Sequence, residues 1–122
     1  MTPNSLVSAH RIIGIDGNGF ICVNDDNVAW HAKLANAQWL GVELVQPFIN
    51  DSFTPAQYDA LSDLIISWSA QFNFVANRVN VVGHDEIDLQ KTDPGPKFNW
   101  DYFMQLIKEK TMNKSELIDA LH

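Results

Sequence analysis

The chain has 122 residues, 46% of them hydrophobic and 11% aromatic, which is enough apolar surface for one core and a single domain over residues 1–122. Its formal net charge of −7 excludes a broad phosphate-binding surface, so we expect no nucleic-acid partner. No apolar run has the length of a membrane span, and the first residues lack the pattern of a cleavable secretion signal, so we expect neither a membrane partner nor export by that route.

The first predicted elements are two short strands joined by a glycine-rich turn. The apolar stretches HRIIGID and FICVN flank a Gly-Asn-Gly sequence, which is typical of a β-hairpin with strands at 10–16 and 20–24. The single cysteine, Cys22, falls in the second strand and cannot form an intrachain disulfide. We expect its thiol to pack in the core.

A third strand is predicted at 40–45, where the sequence LGVELV alternates between two faces. Leu40, Val42 and Leu44 share one face, and Glu43 lies on the other face of a strand that we expect to be covered. A buried carboxylate is costly unless it is paired, binds a metal or takes part in catalysis. Glu43 is therefore a candidate functional residue, and the alternative is a strand-edge side chain in water.

The middle of the chain is predicted to form a helix followed by a buried strand. A Thr-Pro pair at 54–55 is a helix-start pattern, and apolar residues spaced three and four apart predict a helix from there to about Phe72. The β-branched run RVNVVG at 78–83 predicts a central strand that delivers His84 at its carboxyl end. Ligands of open α/β sheets bind at that edge.

A stiff turn and two helices are predicted for the last part of the chain. In the sequence KTDPGP, two prolines restrict the backbone that directs the carboxylate of Asp93. Asn99 is expected to cap a helix over about 100–110, and a separate short helix is expected near 114–121.

His84 and Asp93 together indicate a metal site. A histidine and a carboxylate on a stiff scaffold are suitable as two of the three protein ligands of a catalytic zinc. The alternatives are a satisfied histidine at the end of a strand and a turn aspartate that precedes a helix. Lys91 can bring a positive charge over the same cavity, while the neighbouring Trp30 and His31 either line a cleft or fill a corner.

Three segments of the chain resemble the zinc-dependent N-acetylmuramoyl-L-alanine amidases of the amidase type 2 and peptidoglycan recognition protein superfamily. In chain order these segments are VSAHRIIGIDGNG, VAWHAKLANAQWLGVELV and VVGHDEIDLQKTDPGPKFNWDYF, and they cover about residues 7–107. The resemblance implies a single α/β domain with a mixed central β-sheet flanked by helices. It also implies a groove that holds one Zn²⁺ and a muramyl peptide.

The same resemblance implies metal-binding and catalytic roles. His84 and Asp93 match two of the three zinc ligands, and Glu43 matches the glutamate in the strand beneath the metal. Lys91 matches the basic residue near the substrate carbonyl. These roles imply that zinc-activated water hydrolyses the amide bond between N-acetylmuramic acid and L-alanine, with Glu43 transferring the proton and Lys91 stabilising the oxyanion.

Substrate-binding residues are implied as well, because Trp30, His31 and Asn36 lie in the segment that borders the groove. The implied ligands are peptidoglycan or muramyl-peptide fragments. The implied setting is either cytoplasmic recycling or a phage-encoded endolysin that is released at lysis to act on the cell wall, and the sequence does not choose between them.

The third zinc ligand of the family is a histidine on a strand upstream of the VSAH segment, and the 122 residues of this sequence do not include that strand. We expect a shortened domain in which zinc binds poorly and an exposed sheet edge favours self-association. Two alternatives stay open: His31 or His10 takes the vacant position, or another protomer supplies the donor. A non-catalytic module that binds muramyl peptides is therefore the rival of the amidase hypothesis.

Overall fold

The structure of the protein, a computed structural model, describes residues 10–22, 40–46 and 51–120. Three short strands precede three helices in these residues. The elements in chain order are β1 (Arg11–Ile13), β2 (Gly19–Ile21), β3 (Val42–Leu44), α1 (Pro55–Gln71), α2 (His84–Ile87) and α3 (Trp100–Ala120).

The strands form a mixed sheet in the order β2-β1-β3. β1 pairs antiparallel with β2, which places Ile12 opposite Phe20, and it pairs parallel with β3, which places Ile12 opposite Glu43. The predicted hairpin and third strand are therefore confirmed with shorter bounds. The α/β fold class with a mixed sheet is confirmed as well.

The hairpin turn touches the beginning of α1. Gly17 has a φ of +87°, and a Cβ atom at this position would lie 2.9 Å from the carbonyl oxygen of Ala56. Only glycine fits both the left-handed conformation and the close approach. The Thr54 hydroxyl, at the N-cap of α1, donates to the carbonyl oxygen of Ile15 at 2.6 Å and so joins the helix start to the same turn.

The predicted start of α1 at Thr54 and Pro55 is confirmed. The backbone N–H of Gln57 donates to the Thr54 hydroxyl at 3.2 Å, and the N–H of Thr54 donates to Oε1 of Gln57 at 3.0 Å, which completes a capping box. Nε2 of the buried Gln57 also donates to the carbonyl oxygen of Val45 at 2.7 Å. The cap therefore fixes the helix to the end of β3.

The core lies between the sheet and the two long helices. Its buried apolar residues are Ile13, Phe53, Tyr58, Leu61, Ile65, Trp68, Phe98, Phe103 and Ile107. On the surface, Nζ of Lys110 joins α3 to α1 by donating to the carboxylates of Asp59 at 2.7 Å and Asp63 at 2.9 Å. Burial alone lowers the pKa of Lys110, but the hydrogen bonds to both carboxylates outweigh that influence and raise this pKa above its ordinary value.

The prediction of a central strand at 78–83 is wrong, because this stretch forms turns. Oδ1 of Asn77 accepts from the backbone N–H groups of Val79 and Asn80 at 3.0 and 3.1 Å. The carbonyl oxygen of Asn77 accepts from the N–H of Val81 at 2.7 Å. These local bonds occupy the donors that a sheet would need, and the side chain of Val79 is 79% exposed.

The helix after Asn99 is longer than predicted. Oδ1 of Asn99 accepts from the N–H of Tyr102 at 3.0 Å, so the expected N-cap is present. The helix then continues to Ala120 without the predicted break after residue 110. No glycine or proline interrupts this stretch, and the Thr111 hydroxyl bonds back to the carbonyl oxygen of Ile107 at 2.9 Å.

β2 is one of the two edge strands of the described sheet, and all three of its residues are exposed. Cys22 directly follows this strand and is exposed, so the prediction of a packed core thiol is wrong. The cause is the position of the strand, since the described residues place no further element over its outer face. Self-association through an exposed edge stays a prediction.

Candidate metal and substrate site

The site is built on the loop that joins α2 to α3. His84 is the first residue of α2 and is buried, whereas the side chain of Asp93 is 55% exposed. Nδ1 of His84 lies 3.4 Å from Oδ2 of Asp93. The backbone N–H of Asp85 donates to the carbonyl oxygen of Asp93 at 2.8 Å and closes the loop between them. The structure therefore brings these two sequence-predicted residues together.

The separation of His84 and Asp93 suits two ligands of one zinc ion. Tetrahedral zinc with ligand bonds of about 2.0–2.2 Å keeps its ligand atoms roughly 3.3–3.6 Å apart. The 3.4 Å between Nδ1 and Oδ2 falls in that range and is longer than the ~2.7–3.2 Å of a direct N–H···O hydrogen bond. Residues 10–22, 40–46 and 51–120 contain no group of three or more potential ligands, and His84 and Asp93 are a candidate pair of ligands among them.

Two acidic residues, Asp85 and Glu86, follow His84, and the pKa values of their carboxyl groups are shifted in opposite directions. Burial raises the pKa of Asp85, and the negative charge of Glu86 adds to this effect. The hydrogen bond from Arg78 lowers the pKa of Glu86. The loop therefore keeps one carboxylate paired with a cation beside the histidine.

Glu43 shares a cavity with the His84–Asp93 pair. The cavity has a volume of about 1170 Å³, and its walls include Glu43, His84 and Asp93 together with apolar core residues. Glu43 is exposed, so the expectation of a covered carboxylate is wrong. Its side chain lies on the open face of β3, while Val42 and Leu44 on the other face are half-buried.

Lys91 is exposed and is not part of the cavity wall. Its backbone N–H donates to the carbonyl oxygen of Asp88 at 3.0 Å, and a carboxylate oxygen of the buried Asp88 accepts from the N–H of Gln90 at 3.0 Å. These bonds fix the backbone two residues before Asp93. They leave the Lys91 side chain on the surface of the loop.

Of the histidines considered as a substitute ligand, His10 lies in the core. It is fully buried, its Nδ1 accepts from the N–H of Gly41 at 3.1 Å, and its ring packs edge-on against Trp68. The Nδ1 lone pair is therefore engaged by the backbone and not available to a metal. The predicted groove residues Trp30, His31 and Asn36 lie outside the described residues.

Arg78 and Glu86 were not predicted from the sequence as residues near the site. The Arg78 guanidinium donates to Oε2 of Glu86 at 2.6 Å, and Oε1 of Glu86 accepts from the N–H of Gly83 at 2.6 Å. A glutamate three residues after Gly83 is a helix-start signal that the sequence contains. Arg78 lies eight residues before Glu86 and follows no helical or strand spacing, so no sequence pattern indicates this contact.

The protein is thus a mixed α/β domain with an imidazole and a carboxylate together at the wall of a large cavity. The comparison with known families is more specific. Residues 2–96 match the amidase type 2 family, described as N-acetylmuramoyl-L-alanine amidase. The chain belongs to this family.

Its relatives include 1,6-anhydro-N-acetylmuramyl-L-alanine amidase AmpD of Salmonella typhimurium, which is 36% identical over 110 residues. A crystal structure of a selenomethionine AmpD derivative matches with a TM-score of 0.71 and 34% identity, covering 83% of this chain and 60% of that one. The amidase AmiD from E. coli, in complex with the substrate anhydro-N-acetylmuramic acid-L-Ala-D-gamma-Glu-L-Lys, matches with a TM-score of 0.69 and 28% identity. The match covers 82% of this chain and 48% of AmiD.

The chain spans only part of these relatives. The match to the Salmonella amidase covers 83% of this chain and 57% of the amidase. Within residues 10–22, 40–46 and 51–120, no helix is both long and apolar enough to cross a bilayer.

Proposed function

We propose that the chain is a peptidoglycan amidase that hydrolyses the amide bond between N-acetylmuramic acid and L-alanine. The observation that carries this proposal is the approach of His84 and Asp93 to 3.4 Å at the wall of the cavity that Glu43 also lines. Family membership supports the reaction, and the substrate named for AmiD supports the muramyl-peptide class of ligand.

His84 and Asp93 are the residues that would hold zinc. A neutral imidazole and a carboxylate are common zinc ligands. A catalytic zinc has three protein ligands, so a third residue is needed in addition to His84 and Asp93. Zinc, once bound, supplies the Lewis acidity that polarises the scissile carbonyl and allows water to lose a proton near neutral pH.

Glu43 transfers the proton during hydrolysis, and Lys91 stabilises the oxyanion. Glu43 accepts one proton from water while a bond forms between the water oxygen and the carbonyl carbon. The same carboxyl group then gives the proton to the departing nitrogen as the carbon–nitrogen bond breaks. The products are the muramic-acid carboxyl group, which keeps the second proton of the water until it loses it to solvent, and a peptide with a free L-alanine amine. Lys91, which is exposed two residues before Asp93, is proposed to turn toward the developing oxyanion.

Substrate binding is assigned to the cavity and to the segment that contains Trp30, His31 and Asn36. The cavity of about 1170 Å³ exceeds the ~300–1,000 Å³ typical of small-molecule sites, so its volume does not exclude a sugar with a short peptide. We propose two settings for the activity, either cytoplasmic recycling of peptidoglycan fragments or wall degradation by a phage endolysin after lysis.

The test is release of free peptide from anhydro-N-acetylmuramyl tripeptide by the zinc-supplemented chain, followed by mass spectrometry. The Glu43→Gln variant should keep the zinc content of the wild type and lose turnover by roughly 10²–10⁴-fold, because it retains the shape but not the base. His84→Ala should lose both zinc and turnover. A Glu43→Gln variant with unchanged rates would remove this residue from the mechanism.

A binding module for muramyl peptides is the second candidate function. It is favoured by the finding that residues 10–22, 40–46 and 51–120 contain no cluster of three metal ligands. The two functions differ in zinc content and in turnover. About one zinc per chain with peptide release supports the amidase, whereas calorimetric binding of the tripeptide without zinc and without release supports the module.

A further inference from the structure

Three side chains outside the proposed metal pair hold the backbone on both sides of His84. We call Arg78, Glu86 and Trp100 the arginine clamp. The Arg78 guanidinium carbon lies 3.6 Å from the centre of the Trp100 ring at the beginning of α3. The guanidinium also donates to the carbonyl oxygen of Val81 at 2.7 Å and to Oε2 of Glu86 at 2.6 Å. One side chain therefore contacts the residues before His84, those after it and the long helix.

Glu86 extends this connection to the residue directly before the histidine. Its Oε1 accepts from the N–H of Gly83 at 2.6 Å, while its own N–H donates to the carbonyl oxygen of Gly83 at 3.0 Å. On the other side of His84, the backbone N–H of Asp85 donates to the carbonyl oxygen of Asp93. The backbone of His84 is thus fixed between the clamp on one side and the loop closure on the other.

The ion pair between Arg78 and Glu86 adds little to the stability of the fold. The side chains of Arg78 and Glu86 are 35% and 39% exposed, and ion pairs in such surroundings contribute little to the free energy of unfolding. Geometry accounts better for this arrangement. The planar guanidinium can stack on an aromatic ring and direct two N–H groups to separate acceptors at once, which a lysine ammonium cannot do.

We propose that Arg78 and Glu86 are positioning residues that set the imidazole of His84 at its distance from Asp93. The proposal rests on the proposed function in taking this pair as the metal-binding pair. It assigns neither residue to the metal or to the substrate. Their effect is transmitted through the carbonyl oxygen of Val81 and the N–H of Gly83.

The test begins with the metal-free chain and the nuclear magnetic resonance signals of the His84 imidazole and the Gly83 amide. Glu86→Leu removes the acceptor of the Gly83 N–H, so the amide signal should shift and the imidazole signals should move or broaden. Glu86→Gln keeps an oxygen that accepts this N–H, and it should resemble the wild type more closely. Arg78→Met should move the imidazole signals, and in Arg78→Lys these signals should lie between those of Arg78→Met and the wild type.

Titration with zinc alone supplies a second measurement. Loss of a group that bonds a metal ligand directly typically weakens metal binding by about 10–100-fold, and we expect the lower end of this range or less in Glu86→Leu and Arg78→Met, because both residues act through the backbone. Lys110→Met is the matched control, since it removes another cation bonded to carboxylates, between α3 and α1. It should lower the urea midpoint of unfolding and leave the zinc affinity and the His84 signals unchanged.

Imidazole signals that stay at their wild-type positions in Glu86→Leu and Arg78→Met would overturn the proposal, whatever happens to the urea midpoint. This outcome is distinguishable from failure of the proposed function. A wild-type chain that releases no peptide argues against the amidase, while the metal-free resonance experiment still decides whether the clamp positions His84.

Discussion

Ile107 and Leu89 illustrate two regions that are organised in different ways. Ile107 lies in the helical layer, formed by α1 and α3, and is 4% exposed. Leu89 lies in the site segment, residues 78–96, and is 94% exposed. Apolar packing, a capping box and the Lys110 bonds hold the helical layer, whereas the site segment depends mainly on single hydrogen bonds between side chains and backbone. Apolar burial therefore stabilises the domain in one region, and polar contacts set the geometry of the site in the other.

The largest effect is expected from Ile107→Ala, which removes buried apolar atoms from the helical layer. Such truncations cost about 2–5 kcal/mol, so the urea midpoint should fall strongly. Leu89→Ala is the matched control in the site segment and should change the free energy of unfolding by less than about 0.5 kcal/mol. A comparable loss in both variants would show that the two regions do not differ as described.

An intermediate effect is expected from Gly83→Ala in the site segment. The added Cβ would lie 2.5 Å from Oδ1 of Asp85 and 2.9 Å from Cδ of Pro94, so the segment must shift. Overpacking of this kind costs about 1–3 kcal/mol, and the His84 imidazole signals should move with it.

Gly19→Ala is the control for this change, because its Cβ would meet no atom closer than 4.0 Å. It should leave both the urea midpoint and the His84 signals close to the wild type. Identical behaviour of the two alanine variants would contradict the packing that the structure gives to the site segment.

The smallest effect is expected from Lys110→Met, at about 0.5–1 kcal/mol, because the ion pairs are partly exposed and screened. The pKa of Lys110 is raised above 10.5 in the folded chain, so the charged form stabilises the fold below this pH. The contribution is lost as the pH rises through the raised pKa. The free energies of unfolding of the wild type and Lys110→Met, measured in urea from neutral to strongly alkaline pH, should therefore converge as the pH rises.

Lys108→Met, on the exposed surface of the same helix, is the control for the charge itself. It should show neither the loss at neutral pH nor the convergence at high pH. A difference between Lys110→Met and the wild type that persists unchanged at strongly alkaline pH would contradict the assignment to the charged amine.

Local patterns predicted the helical layer well. Thr54 and Pro55 start α1 through contacts within four residues, and the apolar spacing that follows places one face in the core. The hairpin was predictable for the same reason, because the turn residues select it. The uninterrupted course of α3 past residue 110 was missed because Thr111 and Asn113 are weak helix formers, yet neither is a glycine or a proline and the helix continues through them.

The site segment was predicted less well, because its structure depends on contacts that have no period. The β-branched run at 78–83 suggested a strand, but the side chain of Asn77 bonds the backbone into turns. The approach of His84 to Asp93 could be inferred from the stiff proline turn and the family resemblance. The exposure of Glu43 could not, since it depends on the position of β3 in the sheet.

The bond between the Asp85 N–H and the Asp93 carbonyl oxygen has a consequence for how this region can change. It closes a ring of backbone that runs from Asp85, the residue after His84, to Asp93. Side chains that point outward from the ring, such as Leu89, can be exchanged or carry a fluorescent label without moving either end. A change that breaks the closure itself is expected to displace the His84 and Asp93 side chains together.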